Sequence, residues 1–247
     1  MAFVGVGLAS IPDLLRGGIS VAVDSPALPP LLDRLDPQLK TEELPTGLLN
    51  GELIAQLRAA DRKWLPVQKR LPGGGVRYLY KRRPGDPELS IAEIQQLMNN
   101  PPSYVMEREA IVELLRTMEA ANVRLLLSDP KKSGAAGEWD HGQRTMRIDP
   151  AVVSKGTVEF AEVLNHEAIH VAQSCTGGSI WARPQRLGIP TDLKPEVAVH
   201  LDDPLYAAIS NEERDLEKEA YANQHVIGLG ASLIRSHCKL NRATVHS

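Results

Sequence analysis

Residues 157–174 read Thr157-Val-Glu-Phe-Ala-Glu-Val-Leu-Asn-His-Glu-Ala-Ile-His-Val-Ala-Gln-Ser174, and the reading of the whole chain turns on this stretch. Phe160, Ala161, Val163, Leu164, Ala168, Ile169, Val171 and Ala172 recur at helical spacing, with no Gly or Pro between them. The stretch is therefore predicted as one helix. His166 and His170 are four residues apart, so they lie on one face, one turn apart. Two imidazoles placed in this way can converge on one zinc ion. Glu167, next to the first histidine, projects beside such an ion rather than into it, where it can take a proton from an attacking water. The plainer alternative is a pair of histidines on an exposed helix face. The strong apolar pattern around them and the strand directly upstream weigh against it.

A catalytic zinc takes three protein ligands and keeps its fourth position open. The candidates for the third lie downstream. Cys175 falls at the helix end, where the chain enters Thr176-Gly-Gly. His200 sits in a long Pro/Gly-rich stretch, 175–204, too long for an idle connection. A final helix is predicted from Ser210 to about Arg235 and offers Glu212, Glu213, Glu217 and Glu219. Glu213 completes a capping box with Ser210, and Glu212 lies in the first turn, where a carboxylate suits the helix dipole without a metal. Glu217 and Glu219 stand about 200° apart around the helix, so only one can face the histidines. Glu217 shares its face with Ala220, Tyr221, Gln224 and Gly228; Glu219 shares its own with Ala222, Val226, Leu229 and Leu233. Periodicity alone leaves both open.

Outward from this centre, Ser103 to Ala121 reads as a helix, with Val105, Ile111, Leu114, Leu115 and Met118 on its apolar face. Strands are expected at 123–128 and 144–149, separated by the loop Asp129-Pro-Lys-Lys-Ser-Gly-Ala-Ala-Gly. The second strand is placed to border the cleft and to accept an extended peptide at its edge. Pro101-Pro102 marks a boundary between residues 101–247 and an N-terminal arm of residues 1–100. The arm is Pro-rich over 1–45 and carries a short helix at about 48–62 and a helix at 90–99 that Ser90 and Glu93 cap. Between these helices, Pro72-Gly-Gly-Gly is a turn signal with pairable runs on both sides. That hairpin is basic, through Lys69, Arg70, Arg77, Lys81, Arg82 and Arg83. It reads better as a solvated edge than as a nucleic-acid surface, because no nucleic-acid motif accompanies it.

Bulk properties agree. The chain has 247 residues, 43% of them hydrophobic and 24% charged, which suits a globular core. A net charge of −3 argues against wholesale nucleic-acid binding. No run approaches the ~20 apolar residues of a membrane span, and no targeting signal is evident, so the default location is cytoplasmic. Cys175 and Cys238 are too few for a disulfide framework and are expected to be idle thiols in a reducing compartment, a single clamp between them being the lesser option.

A strand, a helix bearing His-Glu-x-x-His and a later helix bearing Glu together resemble the gluzincin metallopeptidases. In several of these the later helix reads Glu-x-x-Ala followed by Asp or Asn, the Glu being the third ligand. Glu217-Lys-Glu-Ala220 fits that register, and Tyr221 departs from it. The resemblance covers about residues 120–235. It implies an α+β fold with a minimal zincin-like core: a helix, a small sheet, the His-Glu-x-x-His helix and a third-ligand helix. It also implies zinc held by His166, His170 and Glu217, with Glu167 as general base in the cleavage of a peptide or protein substrate. The oxyanion formed in such a reaction needs a further donor, for which His141, His200 and Tyr206 are candidates. The competing expectation is a catalytically quiet protein that keeps the zinc fold and works by binding, with the N-terminal half as its interaction module.

Overall fold

The computed structural model describes residues 46–82, 87–193, 195–202, 206 and 209–241. The Pro-rich stretch 1–45, Arg83 and the side chain of His200 lie outside the described set. In chain order the elements are α1 (Thr46–Arg62), β1 (Val67–Arg70), β2 (Val76–Leu79), α2 (Ile91–Asn99), α3 (Val105–Ala120), β3 (Arg124–Leu127), β4 (Gly137–Asp140), β5 (Thr145–Ile148), α4 (Pro150–Lys155), α5 (Thr157–Thr176), α6 (Pro195–Ala198), a 3₁₀ turn (Val199–Asp202), α7 (Asn211–Asn223) and α8 (Leu229–His237). The architecture is α+β, as expected. The hairpin forms, with β1 and β2 antiparallel and Lys69 opposite Arg77. Both capping boxes form too: Ser90 with Glu93, and Ser210 with Glu213. Among the described residues no helix is long and apolar enough to cross a membrane.

α5 is the central element. From Val163 to Cys175 every residue is buried, so a helix that carries both polar and apolar groups is enclosed on all sides by α3, α7, α8 and the sheet. Phe160, Leu164 and Val171 join Ile111, Leu114 and Met118 of α3, Trp139, Met146 and Ile148 of the sheet and Ile234 of α8 in one core. Leu53 and Leu57 of α1 belong to the same core, at 2% and 0% exposure. Each such leucine contributes about 1.5–3 kcal/mol through burial. α1 also completes the start of α5. The N-cap Gly156 has no side chain to offer, and Asp61 accepts instead from the Thr157 backbone N–H at 2.7 Å and from its hydroxyl at 2.6 Å. Arg108 pairs with the same carboxylate at 3.1 Å. An acidic group at a helix N-terminus satisfies an orphan donor and complements the dipole.

The sheet differs from expectation in one respect that matters for the site. Its order is β3-β5-β4, with β5 parallel to β3 and antiparallel to β4. The strand at 144–149 is therefore central, both of its edges are paired, and it cannot take a peptide. The edge toward α5 belongs to β4, in a segment expected to be loop up to Gly137. β4 escapes a periodicity test because all four of its residues, Gly137-Glu-Trp-Asp, are buried, so neither face shows polar alternation.

The last helix is two helices rather than one. α7 ends at Asn223, and α8 begins after Gly228, whose left-handed φ of 77° suits glycine. Asn165 of α5 holds the break: its Nδ2 donates to the carbonyls of Asn223, Gln224 and Val226 at 3.3, 2.8 and 3.1 Å. Its Oδ1 accepts from Gly230 N–H at 2.7 Å. A side chain at Gly230 would meet Asn165 Oδ1 at 2.6 Å and Ala168 Cβ at 2.7 Å, so glycine there lets α8 touch α5.

The expectation of idle thiols is corrected as well. Cys175 in the last turn of α5 and Cys238 at the C-cap of α8 form a disulfide, 63 residues apart in sequence. The contact between α5 and α8 brings their Cα atoms to 5.0 Å, within the range a disulfide spans.

Candidate metal centre

Each helix in the α5–α7 pair places one part of a buried cluster. His166 and His170 point the same way from α5, and their Nε2 atoms are 3.1 Å apart. Glu217 of α7 reaches them from across the helix interface, with Oε2 3.3 Å from His166 Nε2 and Oε1 3.5 Å from His170 Nε2. Ala220, fully buried one turn further along α7, permits the approach. The two histidines are 0% exposed and Glu217 is 1% exposed. One ligand atom from each residue lies within 4.8 Å of the others. Neither Glu217 oxygen makes a hydrogen bond of good geometry, and a buried carboxylate in that condition is costly unless a cation faces it. Two imidazole nitrogens and a carboxylate converging on one point can hold a metal ion.

The far side of each ring is also fixed. His166 Nδ1 is 3.0 Å from Gln224 Oε1, and His170 Nδ1 is 2.7 Å from Gln173 Oε1. An amide oxygen can only accept, so each Nδ1 carries hydrogen and each Nε2 is turned toward Glu217. Tyr221 packs edge-on against His166 with ring centroids 4.7 Å apart, and its hydroxyl is 2.9 Å from that of Tyr206.

The electrostatics follow from burial opposed by charge. Burial raises the Glu217 carboxyl, but the His170 charge and the close approach of both ring nitrogens overcome it and bring the pKa down to about 2. Burial lowers His170, but the nearby Glu217 carboxylate, with a further push from Glu167, lifts it to about 9. His166 stays depressed by burial despite the closeness of Glu217. Without metal, then, the cluster at neutral pH carries an extra proton on His170, which must leave before Nε2 can ligate. Metal uptake at pH 7 is expected to release about one proton, and affinity to rise roughly tenfold per pH unit up to about pH 9. Calorimetric titration in two buffers of different ionisation enthalpy measures this. Uptake with no proton released at pH 7 would contradict the arrangement.

Glu167 is fully buried beside Gly137 of β4. A Cβ at position 137 would meet Glu167 Cγ at 2.8 Å, its Oε1 at 2.9 Å and Val163 Cγ1 at 3.0 Å. The strand can lie this close to the acid only because residue 137 has no side chain. Gly137→Ala is expected to displace the Glu167 carboxylate and leave the three metal-facing residues in place. If the site hydrolyses, activity should fall on the order of 100-fold at unchanged metal content, the scale of an ångström's misplacement. Parallel metal analysis and turnover measurements check it, and loss of both together would count against it.

The other candidates are placed elsewhere. Glu219 is buried but turned away from the histidines, accepting from Gln173 Nε2, Leu187 N–H and Gly188 N–H. Glu213 serves the cap, Glu212 is exposed, and Cys175 is in the disulfide. His141 lies 2.9 Å from the Trp181 carbonyl. Tyr206 is brought in through Tyr221. Sequence reasoning missed Gln173 and Gln224 as partners of the rings, although their spacing was a signal. Gln173 is three residues after His170 on the same face of α5, and Gln224, the C-cap of α7, is seven after Glu217. Comparison of the chain with protein-family models, curated proteins and solved structures finds no match.

Proposed function

We propose that this protein is a zinc-dependent hydrolase that cleaves peptide bonds. The observation that carries this reading is the buried convergence of His166, His170 and Glu217 with Glu167 beside it. Two imidazoles and one carboxylate are the donor set that suits zinc in a catalytic role. Zinc, when bound, supplies Lewis acidity toward a water and a carbonyl. The protein's own groups account for the rest. Glu167 takes the proton of the attacking water and returns it to the departing amine. Gln173 and Gln224 hold the two imidazoles. β4, the edge strand packed on α5, would offer backbone groups to an extended substrate once the chain that buries it moves aside. Of the candidate donors to the developing oxyanion, Tyr206 is favoured by its place against Tyr221, whose ring abuts His166.

Because the cluster is 0–1% exposed, a peptide reaches it only after the chain covering it moves aside. The same enclosure favours a second reading, in which the metal is structural and the protein works by binding. Zinc content together with a broad peptide-cleavage screen separates the two. Zinc near one per chain with cleavage supports the hydrolase, zinc without cleavage supports the binder, and protein with no zinc after chelator-free purification overturns both.

The expected cytoplasmic location is a default reading of the sequence. The Cys175–Cys238 disulfide favours an oxidising compartment instead, since glutathione keeps cytosolic thiols reduced. Protein isolated with thiols blocked at lysis is expected to show no reactive cysteine, and two reactive cysteines would restore the cytoplasmic reading.

A further inference from the structure

Glu219 is a buried acid that the proposed chemistry leaves unused, and its surroundings give it a role. Gln173 Nε2 donates to the Leu216 carbonyl at 3.1 Å and to Glu219 Oε2 at 3.0 Å. Both partners are acceptors, so the amide cannot turn over without setting its oxygen against them. The remaining atom, Oε1, must face His170 Nδ1. Glu219 is engaged by donors at both oxygens: Leu187 N–H at 2.9 Å on Oε2, Gly188 N–H at 2.8 Å on Oε1, and Arg186 Nε at 3.5 Å from Oε1. Two more bonds hold the same segment, Gln185 N–H to the Gln173 carbonyl at 2.9 Å and Asn223 Nδ2 to the Pro190 carbonyl at 2.7 Å.

We infer that Glu219 acts through Gln173 as a positioning residue, its acceptor oxygens fixing the amide so that His170 presents Nε2 to the metal pocket, and that the same carboxylate locks segment 185–190 to the His170 side of the site. The inference rests on the metal reading above. Loss of the carboxylate leaves two backbone N–H groups and the Gln173 amide short of an acceptor inside the protein. Only the Leu216 carbonyl then opposes a turn of the amide, and when its NH₂ faces His170 the Nδ1–H has no acceptor and the opposite tautomer is favoured. One buried group thus sets both the ring nitrogen offered to a metal and the path of a neighbouring loop.

The test begins with the wild-type protein. Nitrogen-15 NMR of the histidine rings should show a slowly exchanging Nδ1–H on His170 with or without zinc, since a doubly protonated ring and an Nε2-ligated ring both carry it. That proton should exchange rapidly in Gln173→Leu and faster than wild type in Glu219→Gln. The Leu187 and Gly188 amides should lose exchange protection in Glu219→Gln. Zinc affinity, read by chelator competition, should fall about 10- to 100-fold in Gln173→Leu. Gln173→Glu sets two carboxylates together and should also weaken zinc, while Gln173→Glu/Glu219→Gln exchanges the two groups and should recover most of that loss. A wild-type His170 lacking the Nδ1 proton overturns the inference, as does a folded Gln173→Leu with that proton and the zinc affinity unchanged. Wild type that binds no zinc overturns the metal reading instead, and the ring spectra then decide the role of Gln173 and Glu219 alone.

Discussion

Glu217→Ala protein is expected to lose its metal, with affinity falling by more than the roughly 10- to 100-fold that the loss of a supporting contact costs. Glu217 is the only carboxylate of the buried three-residue group and meets both Nε2 atoms, at 3.3 and 3.5 Å. Its removal deletes one of the three residues that face one another and leaves two enclosed imidazoles with only the more distant charge of Glu167 to oppose their own. His170 should then titrate lower, because the charge that holds it near 9 is gone. Glu219→Ala supplies the contrast. Glu219 is equally buried, yet its oxygens are taken by Gln173 and by the Leu187 and Gly188 amides, so its loss should cost less metal affinity. Zinc competition measured on both variants, with circular dichroism to confirm folding, decides the assignment. A larger loss in Glu219→Ala would reverse it.

The choice between these two glutamates shows where sequence reasoning ended. Helical geometry sets Glu217 and Glu219 on opposite faces, but both faces are apolar enough to be core, and in the structure both are core. What distinguishes them is the partner element, and contact between α5 and α7 is not written in either helix. The convergence of His166 and His170, with Glu167 beside them, was legible because it is local, fixed by a four-residue spacing on one helix. The capping boxes at Ser90 and Ser210 were legible for the same reason. The features that escaped are long-range. β4 is buried on both faces and shows no alternation. The break between α7 and α8 depends on Asn165, 58 residues before Asn223, taking up three carbonyls. The disulfide depends on α5 and α8 packing side by side. In each case the deciding partner lies in another element.

Glu167→Gln should keep the metal and lose hydrolysis, with turnover down by about 10²–10⁴, the contribution of a positioned general base. The substitution removes the proton acceptor and little else. Glutamine has nearly the same shape, so it fits the space that Gly137 leaves beside it, where the Glu167 Cγ and Oε1 lie 2.8 and 2.9 Å from a notional Cβ. Glu167 is not in the three-residue group that faces the metal pocket, so zinc stoichiometry should stay at the wild-type value. Glu167 also helps hold the proton on His170. Its neutralisation should therefore lower the His170 pKa and leave zinc affinity at pH 7 unchanged or slightly higher, since a smaller fraction of rings must lose a proton before ligating. That sign separates two roles. A general base that stands beside the metal predicts activity lost and affinity held or raised. A glutamate that ligates or braces the site predicts that both fall together. Zinc competition and single-turnover peptide cleavage on the same preparation read the two quantities, and a parallel fall in both would remove Glu167 from the role of base.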